Sequence, residues 1–316
     1  MLDLLLPDKV LEMGLEYVRV FKVQQDNMSE NFRQEIFCWH YGSTSLDLAE
    51  MWYDLQQGEY EGASLDVKEN SFSGFKMFMT AHFFLWTYPK NAGLTATRFR
   101  HAIKNCKGSP LWNWIRKIAA LLPKKIYWDK SVERPEASAF VGSIDCTDCR
   151  VWEPRAHHHM NIDKSYFSEK FNHAGYKYEI VLHLLKPKCM DIVGPEKASK
   201  HDMKVFRQKT KQRMLDMPAG KMLIADSIYK VGKKPEHQDE IGMFAIPSSA
   251  DPAELRRFKS RARARHESFN GRLKFFRFLK DIYNGTDMEK HGEAFRAICV
   301  IVQYQMDNGS PIFEIN

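Results

Sequence analysis

Three acids stand in surroundings that suit chemistry. Asp145 interrupts a β-type run, Ser143-Ile144-Asp145-Cys146-Thr147, and Asp226 closes the apolar run Met222-Leu223-Ile224-Ala225. Glu267 lies inside a strongly basic stretch. They are separated by 81 and 41 residues, so only folding can bring them together. A carboxylate in or at the end of a buried strand is costly unless it is paired or holds a cation. Three carboxylates meeting at strand ends would offer hard oxygen donors to Mg²⁺ or Mn²⁺. Two such ions can activate the attacking oxygen and stabilise the leaving oxygen of a phosphodiester displacement. The chain holds 40 acids, and the same residues also read as ordinary charges, Glu267 pairing with Arg263 four positions earlier on a helix. Asp202 competes for the second place, although its position suits a helix cap. Asp148 is the other rival. In a regular strand it points to the opposite face from Asp145.

The basic stretch is the strongest compositional signal. Ten Lys and Arg fall between Arg256 and Lys280 against the single acid Glu267, while the whole chain carries only +7. The basic excess is therefore concentrated in one segment, the footprint of a binder of phosphate backbones. Arg261, Arg263, Arg265, Arg272 and Lys274 are the candidate DNA contacts. A solvated helix face reads the same way, and the run from Arg256 to Arg265 also fits a nuclear-import signal. On a helical wheel Phe258, Ala262, Phe269, Leu273 and Phe276 form an apolar face. Glu267 falls nearly opposite, beside Arg263, Gly271 and Lys274.

The elements that must position these groups change character near residue 137. Residues 1–135 read as mainly helical. The segment 73–89 is apolar nearly all round and stops at Pro89, as a buried helix does. Two helices with a Lys-Gly-Ser turn fit 95–122, either as a helix-turn-helix or as an ordinary helical hairpin. Strands are expected at 138–152, 176–185 and 189–194, within 221–229 as an apolar strand ending at Asp226, and at 243–247, with a helix at 201–215 capped by His201 or Asp202. A long basic helix should run from Asp251, as its cap, to Lys280, and an apolar helix should cover 292–305. The expected architecture is a mixed α/β domain over 136–316 behind a helical region, 1–135.

Composition excludes several classes. With 44% hydrophobic and 28% charged residues the chain is neither disordered nor low in complexity. Mean hydropathy is −0.48, and no apolar run is long enough for a membrane span. The start, Met-Leu-Asp-Leu-Leu-Leu-Pro, lacks the cationic head of a secretory signal. Six scattered cysteines read as reduced thiols. Cys146 and Cys149 form a lone CxxC upstream of His157, His158 and His159, poor geometry for zinc. Trp112, Trp114 and Trp128 suit core packing better than base stacking. No Gly-rich nucleotide loop is present.

Four words occur in a telling order: SIDCTD, GPEKASKHDMKVFR, LIADSIY and RARARHESFNGRLKFFRFL. They resemble the PIF/Harbinger class of DDE transposases over about 138 to 305. The resemblance implies an RNase H-like mixed β-sheet flanked by helices, with Asp145, Asp226 and Glu267 as a triad holding Mg²⁺ or Mn²⁺, two ions in all. It implies DNA as substrate, a nuclear location and a two-metal endonuclease or transposase reaction. A Myb-like DNA-binding protein from the same element is an expected partner, and a homo-oligomer is open. Cys146, Asp148, Ile228 and Asn270 depart from the family words without removing a triad acid. A domesticated or relic transposase-derived protein that binds DNA without cleaving it is the alternative.

Overall fold

The structure, a computed structural model, describes residues 5–89, 109–153, 163–232 and 235–315. The chain forms two compact units. One comprises Met1–Lys125 with Leu273–Ser310, the other Ile126–Arg272 with Pro311–Asn316. The linear division at 135/136 expected from the sequence thus differs from the compact units, because the apolar C-terminal helix packs with the N-terminal helices.

The first unit is helical. Thr44 starts the helix Ser45–Gln57 with a capping box, its hydroxyl accepting the Asp47 N–H while the Asp47 carboxylate accepts the Thr44 N–H. Ser71 caps Phe72–Thr87 in the simpler way. Trp52 centres the core, stacked on Trp114 with ring centroids 5.7 Å apart and edge-on to Phe75. The expected helix at 292–305 is longer, Met288–Asp307, and buried on almost every side. It is tied to Ser45–Gln57 by the Tyr304 hydroxyl, which donates to Asp54 at 2.5 Å. Residues 95–108 of the suggested helix-turn-helix lie outside the described residues. Its second half forms the helix Ser109–Ala120, whose Trp114, Ile115 and Ile118 are core side chains.

The second unit is built on a mixed sheet. Its central strand is β1 (Phe140–Arg150). On one side β1 pairs antiparallel with β3 (His173–His183), which pairs antiparallel with β4 (Cys189–Lys197). The two-residue β2 (Phe167–Ser168) folds back on the start of β3. On its other side β1 runs parallel to β5 (Met222–Ile224), and β5 parallel to β6 (Phe244–Ala245). The order is β4-β3-β1-β5-β6. Gly142 sits where the β1–β5 register shifts, and a Cβ there would lie 2.7 Å from the Leu182 carbonyl oxygen. Any side chain would push β3 away.

Helices cover both faces of the sheet. Ile144 and Ala225 pack with Phe206 and Met214. The neighbouring Ser143 points the other way and meets His266 of the basic helix Ala253–Leu273 at 3.2 Å. Phe258 and Ala262 of that helix pack with Ile224 and Ala245. The fold is a mixed α/β arrangement with flanking helices. Two expected helices are divided: 201–215 becomes Asp202–Phe206 and Thr210–Leu215, and the basic helix ends at Leu273 before a short turn of helix, Arg277–Lys280. Asp251, expected as a cap, instead accepts from the Ser248 N–H and the Lys259 ammonium.

Candidate functional site

Strand register brings Asp145 and Asp226 together. Ser143 of β1 stands opposite Ile224 of the parallel β5. Each acid lies two residues beyond its member of that pair, so both reach the same level with the same alternation. β5 ends at Ile224, and an open cleft of about 730 Å³ runs along the part of β1 beyond it. Asp145, Asp148, Asp202 and Asp226 all line this cleft.

The four acids differ in their surroundings. Burial pushes the Asp145 carboxyl up to about 6; Lys170 pulls it back, and the charges of Asp226 and Asp202 raise it further. Asp226 caps the turn Ser227–Tyr229, accepting the Ile228 N–H at 2.9 Å with one oxygen. Asp148 accepts the Ser168 hydroxyl at 2.6 Å, and burial raises it. Asp202 is bound to the Lys177 ammonium at 2.5 Å. Of the two caps the sequence offers for this helix, His201 and Asp202, the structure takes the first. His201 is the cap, its ring accepting the Met203 N–H, and Asp202 is an ion-paired acid of the first turn.

Glu267 is not assembled with them. It is exposed on the basic helix and is not part of the cleft lining. Among the described residues no group of three or more His, Cys, Asp or Glu side chains is arranged to hold a metal ion. The cleft instead offers a pair. Asp145 in β1 and Asp226 just past the end of the parallel β5 present oxygen donors to one cleft, and each opposes the other's charge, which is the donor chemistry a hard divalent cation relieves. That pair fits such an ion, and the third ligand expected from the sequence stands outside it.

A buried network that the sequence reading missed lies beneath the cleft. Glu179 of β3 is fully buried. It accepts the Thr210 hydroxyl at 2.6 Å and the Tyr229 hydroxyl at 3.5 Å, and that Tyr229 oxygen lies 3.4 Å from the Cys146 sulfur. Burial pushes the Glu179 carboxyl up to about 8. Tyr229 ends the turn that begins at Asp226, and Cys146 follows Asp145, so the network joins the supports of both acids. The signal was legible: Glu179 is an acid within an apolar alternating run, the criterion that singled out Asp145.

The basic helix divides its cations. Arg265 is buried, and its guanidinium donates to the carbonyls of His183, Leu184 and Lys186 in the β3–β4 turn. It is therefore not available to a phosphate, which corrects its expected role. Arg261 donates to the Glu314 carbonyl and lies over the Phe313 ring, and Arg272 donates to the Pro311 carbonyl. Arg263 is exposed, and Lys274, just beyond the helix, is half-buried.

Residues 144–303 match the family described as DDE superfamily endonuclease. The match spans half of the chain and contains the cleft, its acids and the basic helix. The chain belongs to this family, and its function is of the transposase or nuclease type, in a superfamily that generally uses divalent metal ions. No curated protein and no solved structure matches it.

Proposed function

We propose that this protein is a metal-dependent DNA endonuclease or transposase of the PIF/Harbinger class, with an RNase H-like catalytic domain. The observation that carries the reading is the convergence on one cleft of Asp145 in β1 and Asp226 just past the end of the adjacent parallel β5. The strand order, with β3 antiparallel and β5 and β6 parallel to β1, supports the RNase H-like assignment. Asp145 and Asp226 would hold Mg²⁺ or Mn²⁺, two ions in the full site, with Glu267 as the third ligand. His266 supports that place for Glu267, because its ring meets Ser143 on the sheet face that Asp145 shares by alternation. Bound there, divalent ions supply activation of the attacking oxygen and stabilisation of the leaving oxygen. Arg261, Arg263, Arg272 and Lys274 would hold the DNA backbone. The substrate implies a nuclear location. A Myb-like DNA-binding partner and self-association are part of the same proposal.

The test is nicking of supercoiled plasmid in Mg²⁺, in Mn²⁺ and in EDTA, by wild type and by Asp226→Ala. Metal-dependent nicking that the variant loses supports the reading; nicking that persists in the variant overturns the role of Asp226. One observation favours a second reading, DNA binding without cleavage: Glu267 stands outside the cleft. That reading expects salt-sensitive DNA binding by a protein that nicks under no metal condition, with an affinity indifferent to the three acids.

A further inference from the structure

The cleft has an acidic wall and a lysine-rich wall that also carries the acid Glu169, and only the first has been given a role. The second comes from the segment leading into β3, from β3 itself and from the region after β4. Two of its lysines are committed: Lys177 to Asp202, and Lys200 to Glu196 at 3.0 Å. Lys164 and Lys170 are different. Both line the cleft and are exposed, and neither makes an ion pair among the described residues. Lys170 is nonetheless the charge that acts most strongly on Asp145. Its ammonium lies 5.9 Å from the centre of the Phe171 ring, a loose approach that leaves its donors for another group.

Between these lysines the two-residue β2 presents Phe167, 37% exposed, into the same cleft. Ile228, 48% exposed, lines it as well, two residues beyond Asp226. Exposed apolar side chains set among the charged groups of a cleft have no core to serve. Uncommitted cations beside an exposed aromatic ring are the pairing used to hold single-stranded nucleic acid, the cations on phosphates and the ring on a base face. The size of the cleft agrees. A volume of about 730 Å³ leaves room for one or two nucleotides.

We infer that the cleft binds a separated DNA strand through Lys164 and Lys170 on its phosphates and Phe167 on a base, placing one phosphodiester against Asp145 and Asp226. This rests on the nuclease reading. It adds that the strand must leave its duplex to reach the acids, while the exposed cations of the basic helix serve the duplex.

The test is fluorescence-anisotropy binding of a labelled single-stranded oligonucleotide and of a matched duplex, in EDTA over a series of salt concentrations, so that no cleavage is needed. Lys164→Ala/Lys170→Ala should flatten the log–log salt dependence for the single strand by about 1.4, or about 0.7 for each phosphate no longer neutralised, and leave the duplex slope unchanged. Phe167→Ala should weaken single-strand binding by roughly tenfold. Lys164→Arg/Lys170→Arg should keep the wild-type slope, which separates the removal of charge from damage to the fold. A single-strand slope unchanged in the alanine pair, with duplex binding intact, overturns this inference alone. Wild-type protein that binds neither form overturns the nuclease reading together with it.

Discussion

Arg265 and Glu267 stand two positions apart on one helix and face opposite ways, Arg265 1% exposed and Glu267 open to solvent. Two residues correspond to roughly 200° of helical rotation, so the opposition follows from geometry. It sorts a stripe that looks uniform in sequence. Arg265 fastens the helix to the β3–β4 turn through three carbonyl oxygens, and burial lowers its guanidinium to about 10. Removing it would leave buried acceptors without a donor. Arg265→Ala should therefore lose roughly 3 kcal/mol of stability. In contrast, Arg263→Ala should stay within about 0.5 kcal/mol of wild type and weaken DNA binding. Urea unfolding and a salt-titrated binding assay on both variants check this.

Glu179 gives the protein a pH dependence of known sign. Burial holds its carboxyl at about 8, above the ordinary glutamic acid value, so between those limits the folded protein keeps a proton that the unfolded chain releases. The stability tied to this group is complete below about pH 4, falls as pH rises towards about 8, and levels off beyond. Glu179→Gln keeps a neutral side chain at every pH. It should match wild type near pH 4 and exceed it by roughly 4 kcal/mol at pH 9. Urea midpoints at the two pH values measure the difference, and a gap that does not widen with pH would exclude the mechanism.

Asp202 and Asp226 line one cleft but should respond differently to the loss of a charge. Asp202 is already neutralised by Lys177, whereas no ion pair engages Asp226 among the described residues. Asp226→Asn should lower metal-dependent nicking by roughly 100-fold or more, and Asp202→Asn by no more than about tenfold. Comparable losses in both would make Asp202 a ligand.

Glu267 offers a clean separation of roles because it is exposed. Glu267→Gln should leave stability within about 0.5 kcal/mol and DNA affinity unchanged, yet abolish cleavage, if the basic helix brings it to the metal. Unimpaired nicking by this variant would remove it from the site.

Much of this architecture was legible in the chain. The β-type run through Asp145, the apolar strand leading to Asp226 and the helical first half all follow from residue pattern, and the elements form near where that pattern places them, although β5 stops at Ile224, two residues short of Asp226. Breaks inside continuous patterns were not visible. Residues 201–215 keep helical spacing throughout, yet Arg207, Gln208 and Lys209 interrupt the helix, with Arg207 bound instead to the buried Glu240. Nor does periodicity say which charge on a basic helix meets backbone and which meets water. Arg265 was counted as a phosphate ligand because the carbonyls it satisfies belong to a turn 79 to 82 residues away in the chain. The ion pair of Asp202 with Lys177 is hidden for the same reason, being formed only on folding.

The helical unit is discontinuous, with Met288–Asp307 packed among helices that precede residue 126. During synthesis those early helices leave the ribosome without the apolar rod that fills their centre. The usual order, in which an N-terminal domain folds first as a finished body, is closed to this chain. The sheet, whose strands among the described residues all lie before residue 246, can pair while its neighbour is still waiting. A premature stop just before residue 288 would therefore leave the cleft and its acids encoded intact, yet strip the first unit of its core and expose an apolar surface to aggregation.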